Sequence, residues 1–222
     1  MIGIIGAMEE EVAALKSEMA DAKVTEFASM TFYKGTLCGK DAVVVRSGIG
    51  KVNAAICAQI LVDKFGVDTL INTGIAGSLD ARIDIGDMVI STDAVHHDMD
   101  ATIFGDAIGQ VPRMDTRTFP ADPHLIELAV KANEKANPQI HTFTGRVASG
   151  DQFISSGEVK ARIVENFQAL CTEMEGAGIA HAAYLNKVSY VIIRAILIKL
   201  TTVQRWIIQS LKNRQLPTAW RL

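Results

Sequence analysis

Three consecutive acids near the start of the sequence are the first candidates for chemistry. Glu9, Glu10 and Glu11 open a segment, Met8–Met19, whose apolar spacing predicts a helix. At 100° per residue, Glu9 and Glu10 lie about 100° and 160° from Met8, which belongs to the apolar stripe. Glu11 lies only about 60° from it. We therefore expect Glu11 to face the interior; the alternative is a partly exposed glutamate at the edge of the stripe.

A second acidic pair surrounds Met174 at the start of a predicted helix, Met174–Leu185, that is rich in Gly and Ala. Carboxylates near a helix N-terminus are favoured by the helix dipole alone, which is one explanation for Glu173 and Glu175. The other explanation is a pair that accepts hydrogen bonds from substrate hydroxyls, while Met174 offers a soft apolar surface. Residue types and spacing leave both interpretations open.

These candidates must be positioned by the surrounding elements, which alternate between apolar strands and helices. Strands are predicted at residues 2–5, 31–37, 42–46, 69–73, 141–148 and 188–196, and another from residue 87. Helices are predicted at residues 8–19, 51–65, 122–136, 158–166 and 174–185, with a loop at 98–120. This alternation predicts one α/β domain with a parallel or mixed sheet.

Several predicted strand ends carry glycines or acids, and ligands of α/β sheets gather beyond the carboxyl ends of strands. We expect such ends at Gly6–Glu11, Ser47–Lys51, Gly74–Gly77 and Ser149–Phe153, and a strand break after Ile196. The glycines that follow residue 47 fit neither a dinucleotide-binding fingerprint, which needs a third glycine, nor a Walker loop. Taken singly, each segment is explained by a tight strand-to-helix turn.

The composition excludes several classes of protein. With 49% hydrophobic and 21% charged residues, the 222-residue chain can bury a substantial core. A net charge of −3 gives no basic footprint for nucleic acid, and no apolar run reaches the ~18 residues of a membrane span. The N-terminus lacks a signal-peptide pattern, and three separated cysteines indicate free thiols in a cytoplasmic protein. His96 and His97 would point to opposite faces of a strand, so we expect no metal site.

Five motifs occur in an order that is specific to one enzyme family. They are Gly3–Val12 (GIIGAMEEEV), Ser47–Val52 (SGIGKV), Asn72–Gly77 (NTGIAG), Ser149–Ile154 (SGDQFI) and Glu173–Gly176 (EMEG). On these motifs the chain resembles the 5′-methylthioadenosine/S-adenosylhomocysteine nucleosidases of the nucleoside phosphorylase superfamily. The resemblance covers residues 1–196 and implies one domain there. It also implies a three-layer α/β/α sandwich around a mixed, partly barrel-like sheet, and a homodimer.

The same resemblance implies hydrolysis of the N-glycosidic bond of a nucleoside, which releases adenine and a thioribose. The partners are then the small-molecule nucleoside and water, and no cofactor, metal, nucleic acid or membrane is expected. Glu11 takes the position of the residue that activates the water. Glu175 takes that of the acid that binds the ribose hydroxyls, Met174 packs against the ribose, and Glu173 completes this substrate-binding set.

On the purine side, the resemblance implies that Phe153 stacks on adenine and that the backbone of Ile154 reads the purine edge. Gly77 is expected in a loop that lines the site. Ile75 stands where many relatives carry serine, so the polar contact of that serine does not carry over.

The resemblance ends after Ile196. The family continues with Ser-Asp, whose Asp is implied to protonate the leaving purine, but this chain has Leu197 and Ile198. Residues 197–222 contain no Asp or Glu. In one possible coding sequence, a single nucleotide added after codon 196 restores Ile-Ser-Asp and an acidic continuation. We therefore interpret residues 197–222 as an aberrant, frame-shifted tail of the same domain. The alternatives are a genuinely diverged tail and a nucleoside-binding chain that is catalytically impaired.

Overall fold

The computed structural model describes residues 1–199, so residues 200–222 of the expected tail lie outside the described residues. The strands are β1 (Ile2–Gly6), β2 (Ala20–Phe27), β3 (Met30–Leu37), β4 (Lys40–Arg46), β5 (Thr69–Ser78), β6 (Met88–His96), β7 (Phe119–Pro120), β8 (Thr142–Ser149), β9 (Cys171–Glu173) and β10 (Ser189–Lys199). The helices are α1 (Glu9–Glu18), α2 (Lys51–Phe65), α3 (Pro123–Ala136), α4 (Gly157–Phe167) and α5 (Gly176–Asn186), with a short 3₁₀ helix at Thr102–Phe104.

One part of the sheet closes into a barrel. β5 pairs with β10, β10 with β6, β6 with β8, β8 with β9, and β9 returns to β5. From β5 the sheet continues through β1, β4, β3 and β2. The β1–β4 and β5–β10 pairs are parallel, whereas β10–β6 and β3–β4 are antiparallel. The predicted mixed, partly barrel-like sheet is therefore confirmed.

Alternating side chains place helices on both faces of this sheet, as strand geometry requires. In β4, Val43 and Val45 are buried in one cluster with residues of α2 and α5, whereas Val44 is buried with Val12 of α1. In β10, Ile192 belongs to the cluster of α5, while its two neighbours in the strand are buried with residues of α3. Two helical layers thus enclose the sheet, which confirms the predicted three-layer α/β/α architecture.

Local sequence signals explain how two of the helices are placed. Asp122, the first residue of the helix predicted at 122–136, caps α3: its carboxylate accepts hydrogen bonds from the N–H groups of His124 (2.8 Å) and Leu125 (3.2 Å). The small residues of α5 let it approach α2 closely. A Cβ added at Gly178 would lie 2.7 Å from the backbone oxygen of Lys51, so a larger residue would push the helices apart. None of the helices within residues 1–199 has the length and apolar character to cross a membrane.

The predictions for β5 and Gly77 were wrong. β5 does not end in a turn at Gly74–Gly77 but continues to Ser78, because its ladder with β10 runs on through these residues. Gly77, which was expected in a loop, therefore lies in a strand and is paired with Thr172 of β9. β10 likewise continues beyond Ile196 to Lys199, with a bulge at Leu197. The strand break expected after Ile196 is therefore replaced by this bulge.

Candidate active site

Four charged side chains meet beside β5: Glu11, Glu173, Glu175 and Arg194. All four are buried, and Arg194 exposes 1% of its surface. They belong to the first turn of α1, the end of β9, the turn before α5 and the middle of β10. The Arg194 guanidinium donates hydrogen bonds to Glu173 and to Asn72 of β5, and it attracts all three carboxylates. The topology thus brings Glu11 next to the Glu173/Glu175 pair and Arg194, which lie more than 160 residues further along the chain.

Gly74 of β5 makes room for this cluster. A Cβ at position 74 would lie 2.7 Å from Nη1 of Arg194 and 2.8 Å from Oε1 of Glu11. The glycine is therefore explained by the close approach of charged side chains to the strand, and not by the turn expected at Gly74–Gly77.

Glu11 is buried as predicted, and the two acids before it are exposed. Its Oε2 accepts hydrogen bonds from the N–H groups of Ala7 (2.7 Å) and Met8 (2.9 Å), and its Oε1 accepts one from Ile75 (3.2 Å). Burial raises the pKa of Glu11, although Arg194 and these N–H groups oppose the shift. A fixed carboxylate with a raised pKa is a stronger base than an exposed one, so it is suited to accept a proton from water.

Glu173 was expected to bind substrate, but its oxygens are occupied by donors within the protein. Oε1 accepts a hydrogen bond from the Ser149 hydroxyl, and Oε2 accepts from Arg194 and from the N–H groups of Glu175 (3.1 Å) and Gly176 (2.8 Å). Burial alone would raise the pKa of Glu173, but Arg194 and Ser149 outweigh it and hold that pKa below its ordinary value. Glu173 therefore fixes Arg194 and the first turn of α5.

Glu175 differs from Glu173 because one of its oxygens is open. Oε1 accepts a hydrogen bond from the N–H of Gly50 (2.8 Å), and within residues 1–199 no protein group donates to Oε2. Burial and the nearby charge of Glu173 raise the pKa of Glu175 to about 7. An open carboxylate oxygen in a buried site can accept hydrogen bonds from ligand hydroxyls.

The raised pKa of Glu175 predicts a stabilising substitution. Between the ordinary pKa of 4.5 and about 7, Glu175 keeps its proton in the folded chain but loses it in the unfolded chain. The contribution of Glu175 to stability is therefore lost as the pH rises through that window. Glu175→Gln removes the unfavourable charge and keeps an acceptor for Gly50. We expect it to raise the melting temperature by about 2–8 °C at pH 8 and to change it little at pH 4.

Glu173→Gln is the matched control for this melting experiment. Arg194 lowers the pKa of the Glu173 carboxyl in the unaltered chain, so the charged form of Glu173 stabilises the folded state at pH values above its ordinary pKa. The control should melt at a lower temperature than the unaltered chain at pH 8. If both variants had lower melting temperatures than the unaltered chain at pH 8, the charge of Glu175 would not be unfavourable for folding.

Phe153 and Ile154 lie in the segment between β8 and α4. The Ile154 side chain is buried in an apolar cluster beneath α4, whereas Phe153 is 57% exposed. The start of this segment is tied to α2, because the carboxylate of Asp151 accepts a hydrogen bond from the N–H of Lys51 (2.8 Å). Met174 is half-buried between the two glutamates of its motif. The ring of Phe153 is therefore exposed on a segment whose start is anchored to α2.

Sequence reasoning did not select Arg194, which holds the cluster together. It is the one charged residue in the apolar run predicted at residues 188–196. Because a charge buried in a strand must be paired, this residue could have been matched to the candidate acids. Asn72 and Ser149 belong to the quoted motifs, but neither has a charge that would single it out.

The position of the implied purine acid is apolar. Ile198 is buried and pairs with Gly77 across the β5–β10 ladder, and Leu197 forms the bulge before it. Neither side chain can donate a proton.

The described residues include no group of three or more His, Cys, Asp or Glu that could hold a metal. The adjacent histidines diverge: Nε2 of His96 lies 3.3 Å from Nδ1 of His181, whereas the His97 ring packs against Gly150.

Comparison of the chain with known proteins assigns it to a known class of enzyme. The family model described as the phosphorylase superfamily matches residues 1–202, and the chain belongs to this family. Within it, the chain is 46% identical over 198 residues to the 5′-methylthioadenosine/S-adenosylhomocysteine nucleosidase of Staphylococcus saprophyticus. That match covers 88% of this chain and 85% of the relative.

Solved structures of the same kind of enzyme share the fold. The nucleosidase of Neisseria meningitidis, in complex with methylthio-immucillin-A, has a TM-score of 0.85 and 40% identity, covering 90% of this chain and 86% of the other. The nucleosidase of Colwellia psychrerythraea, in complex with adenine, has a TM-score of 0.84 and 44% identity, covering 89% and 82%.

Proposed function

We propose that this chain is a purine nucleosidase that hydrolyses the N-glycosidic bond of 5′-methylthioadenosine and S-adenosylhomocysteine, releasing adenine and the thioribose product. The observation that carries the proposal is the buried set of Glu11, Glu175 and Arg194, in which one acid is fixed as a base and the other has an open oxygen. Relatives at 46% and 45% identity bear this activity in their names.

The charges of the cluster suit the reaction. Breaking the bond builds positive charge on the ribose and negative charge on the purine, and buried carboxylates stabilise the positive ribose. In our proposal Glu11 holds the attacking water and accepts its proton. Glu175 accepts hydrogen bonds from the ribose hydroxyls through Oε2, and Met174 packs against the ribose. Glu173 acts differently from the original expectation, because it holds Arg194 and does not itself bind substrate.

We assign the purine side to the segment after β8. Phe153 stacks on adenine with its exposed ring, and the backbone of Ile154 hydrogen-bonds to the purine edge while its side chain is held in the core. Gly77 then lines the site from within β5, where a strand residue without a side chain leaves space.

Charge also favours water over phosphate as the nucleophile, which matters because the family includes phosphorylases. The guanidinium of Arg194 is offset by Glu11, Glu173 and Glu175, all of which interact with it. A phosphate ion placed beside Glu11 would be repelled by this excess of negative charge. We therefore propose a hydrolase in which water and not phosphate is the nucleophile; that it needs no metal or organic cofactor is proposed from the family resemblance alone.

The test of this function is the dependence of adenine release on phosphate. Adenine should be released from methylthioadenosine in phosphate-free buffer, and added phosphate should not increase the rate. The sugar product should carry no phosphate, which mass spectrometry can check. A rate that rises in proportion to phosphate, with a sugar 1-phosphate as product, would instead identify a phosphorylase.

We further propose that the chain is a homodimer that associates through α2 and α5. These neighbouring helices expose large apolar side chains at Val52 (69%), Ile56 (43%), Tyr184 (42%) and Leu185 (65%). Large apolar side chains exposed on two packed helices are a feature of protein–protein interfaces.

The proposed dimer interface can be tested by substitution. Val52→Glu combined with Ile56→Glu should convert the protein to a monomer, measured by analytical ultracentrifugation, because each change buries a charge in the interface. The control is Val24→Glu, which changes a residue of the edge strand β2 that is 56% exposed and should remain dimeric. A monomeric unaltered chain, or a dimeric double variant, would contradict this interface.

Two further parts of the proposal rest on the sequence. We place the enzyme in the cytoplasm, in the metabolism of methionine and S-adenosylhomocysteine; its three described cysteines are free thiols. We also propose that residues 197–222 are a frame-shifted tail of a single domain, and resequencing the gene around codon 196 tests this directly. The relatives give no support to a chain that only binds nucleosides, but the missing acid should still limit the rate.

A further inference from the structure

A network of charged groups outside the carboxylate cluster joins three segments of the proposed site. Asp98 follows β6, and its carboxylate accepts hydrogen bonds from the Lys51 ammonium and from the N–H of Asp151 (2.8 Å). The Asp151 carboxylate accepts in turn from the N–H of Lys51 (2.8 Å). The side chains of Lys51 and Asp98 are 15% and 19% exposed, so the ion pair between them is partly shielded from water. The first turn of α2 and the segment after β8 are thus held to each other through Asp98.

The same turn of α2 also contacts the ribose side of the site. The N–H of Gly50 donates to Oε1 of Glu175 (2.8 Å), and the next N–H, that of Lys51, donates to Asp151. Two successive N–H groups therefore connect the proposed ribose carboxylate to the segment that carries Phe153. A shift of either side relative to the other must break one of these contacts or the ion pair with Asp98.

We infer that Asp98 is a positioning residue, which sets the distance between the ribose carboxylate Glu175 and the purine segment 150–154. The inference rests on the proposed function, because it assumes that these two regions hold the two halves of one nucleoside. A ligand that spans both halves gains affinity when their spacing is fixed in advance. Adenine alone occupies one half, so it can follow the segment if the segment moves.

The experiment compares Asp98→Asn with the unaltered chain, using two probes and isothermal titration calorimetry. Methylthio-immucillin-A spans both halves, and its Kd should rise by about 10-fold or more because misplacement of one half weakens the whole ligand. The Kd of adenine should change by less than about 3-fold. For methylthioadenosine, the loss should appear mainly in KM, because Asp98 touches none of the reacting groups.

Asp100→Asn is the matched control. Asp100 lies two residues further along the same segment, is exposed, and hydrogen-bonds to Thr102 (2.7 Å and 3.0 Å). The Asp100→Asn variant should bind both probes with the same Kd values as the unaltered chain. If Asp98 acts through Lys51, the two single variants Lys51→Gln and Asp98→Asn and their combination can be compared. The combined variant should then bind methylthio-immucillin-A no more weakly than the single variant with the higher Kd.

The outcomes distinguish a failure of the positioning role of Asp98 from a failure of the proposed function. Equal losses for both probes, or losses that track a lower melting temperature, would assign Asp98 a general structural role and overturn the inference. Unchanged binding of methylthio-immucillin-A by Asp98→Asn would also overturn it. If the unaltered chain bound neither probe, the proposed function itself would be wrong, and the positioning role would be wrong with it.

Discussion

Glu11→Gln is expected to lower the rate of adenine release from methylthioadenosine by at least ~10²-fold, within the range that a general base supplies. Both carboxylate oxygens of Glu11 already accept backbone N–H groups, from Ala7 and Met8 on one side and from Ile75 on the other. An amide at this position cannot take a proton from water. Its NH₂ group would also face at least one N–H donor.

Two further variants separate the loss of the base from a loss of folding. Glu10→Gln changes an exposed acid in the same helical turn and should alter the rate little. Glu11→Asp keeps the charge but moves the carboxylate back by one methylene group, so it should be slow while still binding adenine. The measurement is kcat for adenine release, with melting temperatures recorded for each variant. Equal and mild effects of Glu10→Gln and Glu11→Gln would contradict the role of Glu11.

Helical periodicity was sufficient to select Glu11 from three identical neighbours, because burial of a helical residue depends on its angle to the apolar stripe. The same local reasoning placed the start of a helix at residue 122 and predicted the Gly- and Ala-rich helix at residues 174–185. These features depend on residues within a few positions of each other, so the sequence carries enough information to predict them.

Gly74 and Arg194 show where local reasoning fails. A glycine after a strand is usually explained by a turn, but the space at Gly74 is needed by side chains from α1 and β10, which are distant in the sequence. The buried charge of Arg194 is compensated by three acids from other elements. Neither fact can be derived from the neighbouring residues, since each depends on which strands lie beside β5.

Three strands were not predicted: the two-residue β7 inside the expected loop, and β2 and β9, whose stability comes from pairing. β2 (Ala20–Phe27) is exposed at every residue but its last, so it has no apolar alternation, and its antiparallel partner β3 holds it in place. β9 (Cys171–Glu173) has three residues, which are too few to show a period. Yet β9 closes the barrel and carries Glu173 into the site. The acidic motif was visible in the sequence, but the strand that positions it was not.

The second large effect is expected when an acid is returned to β10. Leu197→Ser combined with Ile198→Asp restores the pair that the resemblance implies, and we expect it to increase adenine release by about 10²-fold. The physical reason is that the purine leaves as an anion unless it is protonated. Ile198 is paired with Gly77, which we propose lines the site, so an aspartate there would lie on the proposed purine side.

The control is Leu197→Ser combined with Ile198→Asn, which introduces the same polarity at both positions but no proton donor. It should stay at the low rate of the unaltered chain, because the gain is assigned to the acid and not to the shape of the bulge. A chain whose frame is restored after codon 196 should be at least as fast as the Leu197→Ser/Ile198→Asp variant. Comparable turnover by the unaltered and frame-restored chains would show that the tail is genuine, and that the proton reaches the purine from a group other than residue 198.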